Sequence, residues 1–197
     1  METFFKLKET GIPVIFFDKV PDAGNCNKVC VADSLSATMA AAAIIKHNKK
    51  KVLALFGNSN LLMTKKRLAA FTETIREKSY KTGLIVEHAS SSNEAEAATL
   101  KHLKDKPDTI FCMSDEILIG VMKAVQKKHL AVPKDIAVIT ISNGDIPKFY
   151  FPEITYVETS GYKLGKLAFS SMMACVGGST FIQELTIESI LVEGGSL

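Results

Sequence analysis

No stretch of this 197-residue sequence stays apolar for the roughly 20 residues that a membrane-spanning helix needs, so no membrane partner is expected. Cysteine is scarce. Cys26, Cys30, Cys112 and Cys175 fit neither a zinc knuckle nor a CxxC redox pair. Cys112 lies in an apolar strand and Cys175 in an apolar helix, which predicts buried, reduced thiols and a cytoplasmic location. Charge of one sign is lacking as well: 24 Lys and Arg against 21 Asp and Glu leave a formal net charge of +3. That is too mild to make a nucleic-acid binder by electrostatics alone. There is no GxSxG elbow and no GxxxxGK phosphate loop, and "GGST" at 177–180 reads as a helix stop. His47, His88, His102 and His129 are dispersed, with no pair at metal-ligand spacing on one helix and no assignable nucleophile–base pair. No catalytic residue, metal or cofactor is therefore expected, and a binding domain is favoured over an enzyme. The opening "METFFKLKETGIPV" lacks the basic–apolar–small order of a secretory signal.

What is present is a regular alternation. "KVLALF" (51–56), "GLIVEH" (83–88), "TIFCM" (109–113) and the strand at 136–141 are near-continuous apolar runs. Amphipathic segments at about 36–47, 64–79, 91–102 and 115–129 separate or precede them. Ser91 with Glu94, or Asn93 with Glu96, would cap the third of these helices. The pattern predicts an α/β fold whose parallel sheet carries helices on both faces. Outside it, "IPVIFF" (12–17), "KVCVA" (28–32) and "ITYV" (154–157) read as further strands, with a helix at about 162–176 and an extended last segment. Pro152 and Gly177–Gly178 are the expected crossing or hinge points.

In a parallel sheet, ligands bind beyond the carboxyl ends of the strands. There the sequence places Asp18; Asn58 and Ser59, with Arg67 further on; His88 and Ser90; Ser114 and Asp115; and Ser142 and Asn143. Ser, Asn and Asp are also the preferred caps and turn residues, so Asp115 and Ser91 are equally readable as caps. Arg67 is harder to dismiss. At the start of a helix its charge opposes the macrodipole, at a cost of about 0.3–1 kcal/mol. Either it is solvated, or something anionic or hydroxyl-rich comes to meet it. With Asp18 it would give a cleft one donor fork and one carboxylate, a combination suited to a polyol.

"GIPVIFFDKV", "VCVADSLSATMAAAAII", "KRLAAF", "IFCMSDEILIGVMKAV" and "LAVPKDIAVITISNGDIPKFYFPEITYV" follow one another in an order and spacing that strongly resemble the effector-binding region of LacI/GalR-type transcriptional regulators. The resemblance implies a periplasmic-binding-protein-like (type I) fold of two lobes that close on a small molecule. It implies one complete lobe at 34–153 with 179–197, and a partial lobe from 1–33 with 154–178. The family's helix-turn-helix and most strands of its first lobe would lie outside these residues.

The same resemblance implies effector-binding roles for Asp18, Arg67, Ser114, Asp115, Ser142 and Asn143, with Asn58, Ser59, His88 and Ser90 as further candidates. It implies a homodimer, DNA contact only through the missing domain, and a sugar or related effector. The alternative within the same fold is the sugar-binding protein of a transport system. Serines follow the 83–88 strand where relatives often carry a stacking aromatic, and Leu61 and Met63 are apolar where polar residues are common.

Overall fold

The apolar runs become strands because their near-continuous burial suits a sheet covered on both sides. In the computed structural model, which describes residues 6–7, 10–22, 24–78 and 82–197, nine strands form two sheets among the described residues. The strands are β1 (Ile15–Phe17), β2 (Asn27–Val31), β3 (Lys51–Phe56), β4 (Gly83–His88) and β5 (Thr109–Cys112). They continue with β6 (Ala137–Ser142), β7 (Thr155–Glu158), β8 (Glu184–Ile187) and β9 (Ile190–Val192). The helices are α1 (Asp33–Lys46), α2 (Leu62–Lys78), α3 (Ser92–His102), α4 (Asp115–Lys127) and α5 (Gly161–Val176). The six-stranded sheet runs β4-β3-β5-β6-β7-β9, parallel except for the antiparallel last pair, and the three-stranded sheet runs β1-β2-β8, all parallel.

Two lobes arise from those sheets, and three crossovers join them, at residue 32, at 159–160 and at 188–189. The expected lobe division is corrected at the later two. The family resemblance implies that β7 belongs to the smaller lobe, but it registers with β6, Ile139 against Thr155, where its buried side chains need cover on both faces. The same resemblance puts the 179–197 segment wholly in the larger lobe, but β8 pairs with β2, Val29 against Leu185, and only β9 returns. Glu188 and Ser189 interrupt the apolar run where the chain changes sheets.

Helix α2 begins at Leu62, two residues earlier than expected, which moves Arg67 out of the first turn. The predicted end of this helix at Ser79 lies outside the described residues. Phe71 of α2 stacks on Phe111 of β5 with centroids 4.4 Å apart, and meets Phe56 of β3 edge-on at 5.9 Å. This trio, fully buried, fastens α2 to the sheet. Residues i and i+4 of a helix share a face, so Arg67 is carried inward with Phe71. On the opposite side α3 and α4 approach so closely that a Cβ at Gly120 would collide with the Ser92 carbonyl oxygen. Ser91 caps α3, its hydroxyl accepting from Glu94 N at 3.2 Å, while the Glu94 carboxylate accepts from Ser90 N at 2.7 Å. Of the two capping boxes the sequence allowed, this is the one formed.

Candidate functional site

A cavity of about 380 Å³ opens between the lobes at the carboxyl ends of the strands. Its lining includes Asp18 from the smaller lobe and Arg67, Ser114, Asp115, Ser142 and Asn143 from the larger one. Polar residues drawn from well-separated segments therefore face one cavity, as parallel-sheet topology leads one to expect.

Each is positioned by identifiable backbone. Asp18 follows β1 with φ of 63°, a left-handed conformation that Asp tolerates better than most residues, and its N–H donates to Val29 O at 3.1 Å. Ser114 is the N-cap of α4, its hydroxyl accepting from Ile117 N at 3.5 Å. The Ser142 hydroxyl accepts from Gly144 N at 2.9 Å and the Asn143 side-chain oxygen accepts from Asp145 N at 3.2 Å, so both shape the turn that ends β6. The Ser142 hydroxyl and the Asn143 N–H stand by the Asp115 carboxylate and pull its pKa down, but burial outweighs them and pushes it above its ordinary value. Asp115 Oδ1 is buried without a partner.

Arg67 is neither solvated nor waiting for an outside anion. Only 4% exposed, it donates from Nε to Asp33 Oδ1 at 2.8 Å and from Nη1 to Met113 O at 3.0 Å. Asp33 opens α1 immediately after the first crossover. Its carboxyl is raised by burial and held back by the Arg67 guanidinium. The expected penalty against the helix dipole is replaced by a buried ion pair that ties α2 and the end of β5 to the joint between the lobes.

Four of the sequence candidates lie away from this cavity. Asn58 spends its side-chain oxygen on Asn60 N at 2.9 Å, an Asx turn. His88 Nδ1–H donates to Gly57 O at 2.8 Å, and Ser90 N is held by Glu94. Ser59 is exposed. β4 is the edge strand of the larger sheet, so the residues after it point beyond the smaller lobe's reach.

Several residues at the cavity escape the sequence reading: Phe17, Thr159, Ser160 and, behind Arg67, Asp33. The rule that serves the other strands, to inspect the residues just past each carboxyl end, finds Asp33 after β2 and Thr159 and Ser160 after β7. Thr159 N and Oγ1 both donate to Ser142 O, at 2.8 and 3.2 Å. Phe17, 59% exposed, supplies an apolar surface that the serines after β4 do not.

All four cysteines are free. Cys112 is fully buried and its thiol is pushed up by that burial, whereas Cys175, expected to be buried, is half-exposed with the Asn27 side-chain N–H 3.5 Å from its sulfur. Among the described residues no three His, Cys, Asp or Glu groups stand together as a metal site, and no helix is long and apolar enough to cross a membrane.

Two lobes built on mainly parallel sheets, three crossovers and a polar cavity at the strand ends define a two-lobed α/β domain with a cleft between its lobes. Residues 42–197 match the periplasmic binding protein-like domain, and the chain belongs to that family. The resemblance to the effector-binding region of LacI-type regulators holds in sequence and in structure. The HTH-type transcriptional repressor PurR of Vibrio atlanticus (strain LGP32) is 22% identical over 170 residues, 84% of this chain and 51% of the relative. A LacI family transcriptional regulator from Enterococcus faecalis V583 with bound ribose superposes with a TM-score of 0.89 at 22% identity, covering 99% of this chain and 72% of that one. The transcriptional regulator CelR in complex with cellobiose gives 0.85 at 18% identity, covering 96% and 60%. The chain spans about half the length of the curated relatives it matches.

Proposed function

We propose that this chain is the effector-sensing domain of a transcriptional regulator, with the effector bound between the lobes. The observation that carries the reading is the placement of Asp18 opposite Arg67, Asp115, Ser142 and Asn143 around one cavity. A guest touching both walls has higher affinity for the closed arrangement and therefore populates it. In a homodimer whose DNA-binding domains lie outside these residues, that closure would change operator affinity by linkage, with no bond made or broken. The repressor relatives favour a regulator over the binding protein of a transport system. A sugar is the effector class that the ribose- and cellobiose-bound neighbours support.

Titration calorimetry with ribose, cellobiose and other free sugars tests this. Binding of one of them should weaken at least tenfold in both Asp18→Ala and Asn143→Ala. Affinity unchanged in both variants would place the guest elsewhere and end the reading.

A further inference from the structure

We infer that the cleft is built to accept uncharged, hydroxyl-rich guests and to turn away their phosphorylated or carboxylated counterparts, with Asp33 as the positioning residue that sets this preference. The inference rests on the cavity being the effector site.

Arg67 is the single cationic side chain among the lining residues, and its charge is already matched by Asp33 at 2.8 Å. Asp18 and Asp115 line the same space, so three carboxylates stand against one guanidinium. No lysine is among the lining residues. Lys28 and Lys66 both pair with Glu184, at 3.8 and 3.6 Å, while Lys19 and Lys65 line a separate neighbouring cavity.

Three helix N-termini border the cleft, those of α2, α4 and α5, and work in the opposite direction, since each carries the equivalent of about half a positive charge. The α4 terminus is answered by its own Asp115 and Glu116. The α2 and α5 termini lack an acidic residue in their first turns, but their two partial charges do not outweigh the full charges of Asp18 and Asp115. An incoming phosphate would lose its hydration in this field without gaining a free cation.

The buried Asp115 Oδ1 without a partner makes the complementary demand. A carboxylate oxygen only accepts, so its missing partner is an O–H or N–H. Sugar hydroxyls donate, and the oxygens of a phosphate dianion do not. Asp33 governs the balance from behind. By holding Nε it fixes which edge of the guanidinium turns to the cavity, and by its charge it keeps Arg67 from acting as an anion trap.

Calorimetry on the intact chain with matched pairs provides the test: ribose with ribose 5-phosphate, glucose with glucose 6-phosphate, and galactose with galactose 1-phosphate. Some free sugar should bind at least tenfold more tightly than its phosphate. That sugar should lose at least tenfold in affinity in Asp115→Asn, which places an amide on the wall that needs an acceptor. Asp33→Asn should narrow the gap between sugar and phosphate, a shift in selectivity that mere loss of packing would not produce. The comparison on the unaltered chain decides the matter even if Asp33→Asn fails to fold. A phosphate that binds more tightly than its sugar, and loses affinity in Asn143→Ala, would overturn this inference and leave the effector site standing. Binding indifferent to both Asn143→Ala and Asp115→Asn, or no binding by any of the sugars or their phosphates, would overturn both.

Discussion

The two lobes share one strand–helix grammar but bury very different amounts of apolar surface. The larger packs α1 and α2, and α3 and α4, against its sheet over a continuous core that includes Phe56, Phe71, Phe111, Leu53, Ile110 and Ile139, none of them measurably exposed. The smaller one has Val29, Leu164 and Ile187 as its buried centre, with Ile15, Val31, Leu167 and Leu185 beside them. Around that centre Ile12, Phe17, Phe169, Met173, Val176 and Phe181 remain exposed among the described residues. Stability therefore resides in one lobe, and the other is held to it mainly by three crossovers and α5. The contrast follows from sheet size, three strands against six among the described residues.

The largest effect that would sharpen this contrast is Phe111→Ala. Removing the centre of the aromatic trio should cost about 3–5 kcal/mol, read as a lowered urea midpoint for the entire chain. Arg67→Ala should come close behind. It leaves the Asp33 carboxylate buried and unpaired, a change worth about 3–5 kcal/mol in comparable buried pairs. Besides lining the cavity, Arg67 thus holds the fold together through this ion pair. Asp33 already has a raised folded pKa, so its contribution is most favourable in acid and declines as pH rises through that value. Without Arg67 the decline should steepen, and the deficit at pH 7 should exceed that at pH 4 by urea denaturation.

A smaller effect is expected in the smaller lobe. Leu164→Ala should remove about 2 kcal/mol of local burial. Hydrogen exchange should show β2 and β8 losing protection while β3, β5 and β6 keep theirs. Equal loss in both sheets would show that the lobes unfold as one unit and break the contrast. The smallest effect carries the opposite sign. Burial raises the Asp115 carboxyl, so at pH 7 its charged form is a burden on the folded chain. Asp115→Asn should raise Tm by about 2–4 °C for each kcal/mol relieved, and the gain should vanish as pH falls through the raised value. A Tm unchanged at pH 7 would mean that the cavity hydrates this group fully.

The sequence made β3 and β4 legible to the residue, because an apolar run bounded by turn residues admits one register. It overextended β1, read as 12–17 and found at Ile15–Phe17, since Pro13 lacks an N–H to donate and Gly11 bends away at φ of 76°. The exchange of β8 and β9 between sheets was less visible, because both read as extended, and only pairing between segments remote in the chain tells them apart. The partner of Arg67 was hidden for a similar reason: Asp33 lies 34 positions away, and the eye falls first on the exposed alternatives. One clue was available. Arg67 stands four residues before Phe71, on the same helix face as that apolar side chain.

The Ser36 hydroxyl, in the first turn of α1 just past the first crossover, meets the Ser189 hydroxyl of the third crossover at 2.8 Å, both buried. Two connecting ribbons buttoned together resist shearing past each other, and what they leave free is bending about a common line. On the proposed reading, a guest settling in the cleft would be registered as an angle, a quantity that a rigid body can hand on over its whole length without blurring.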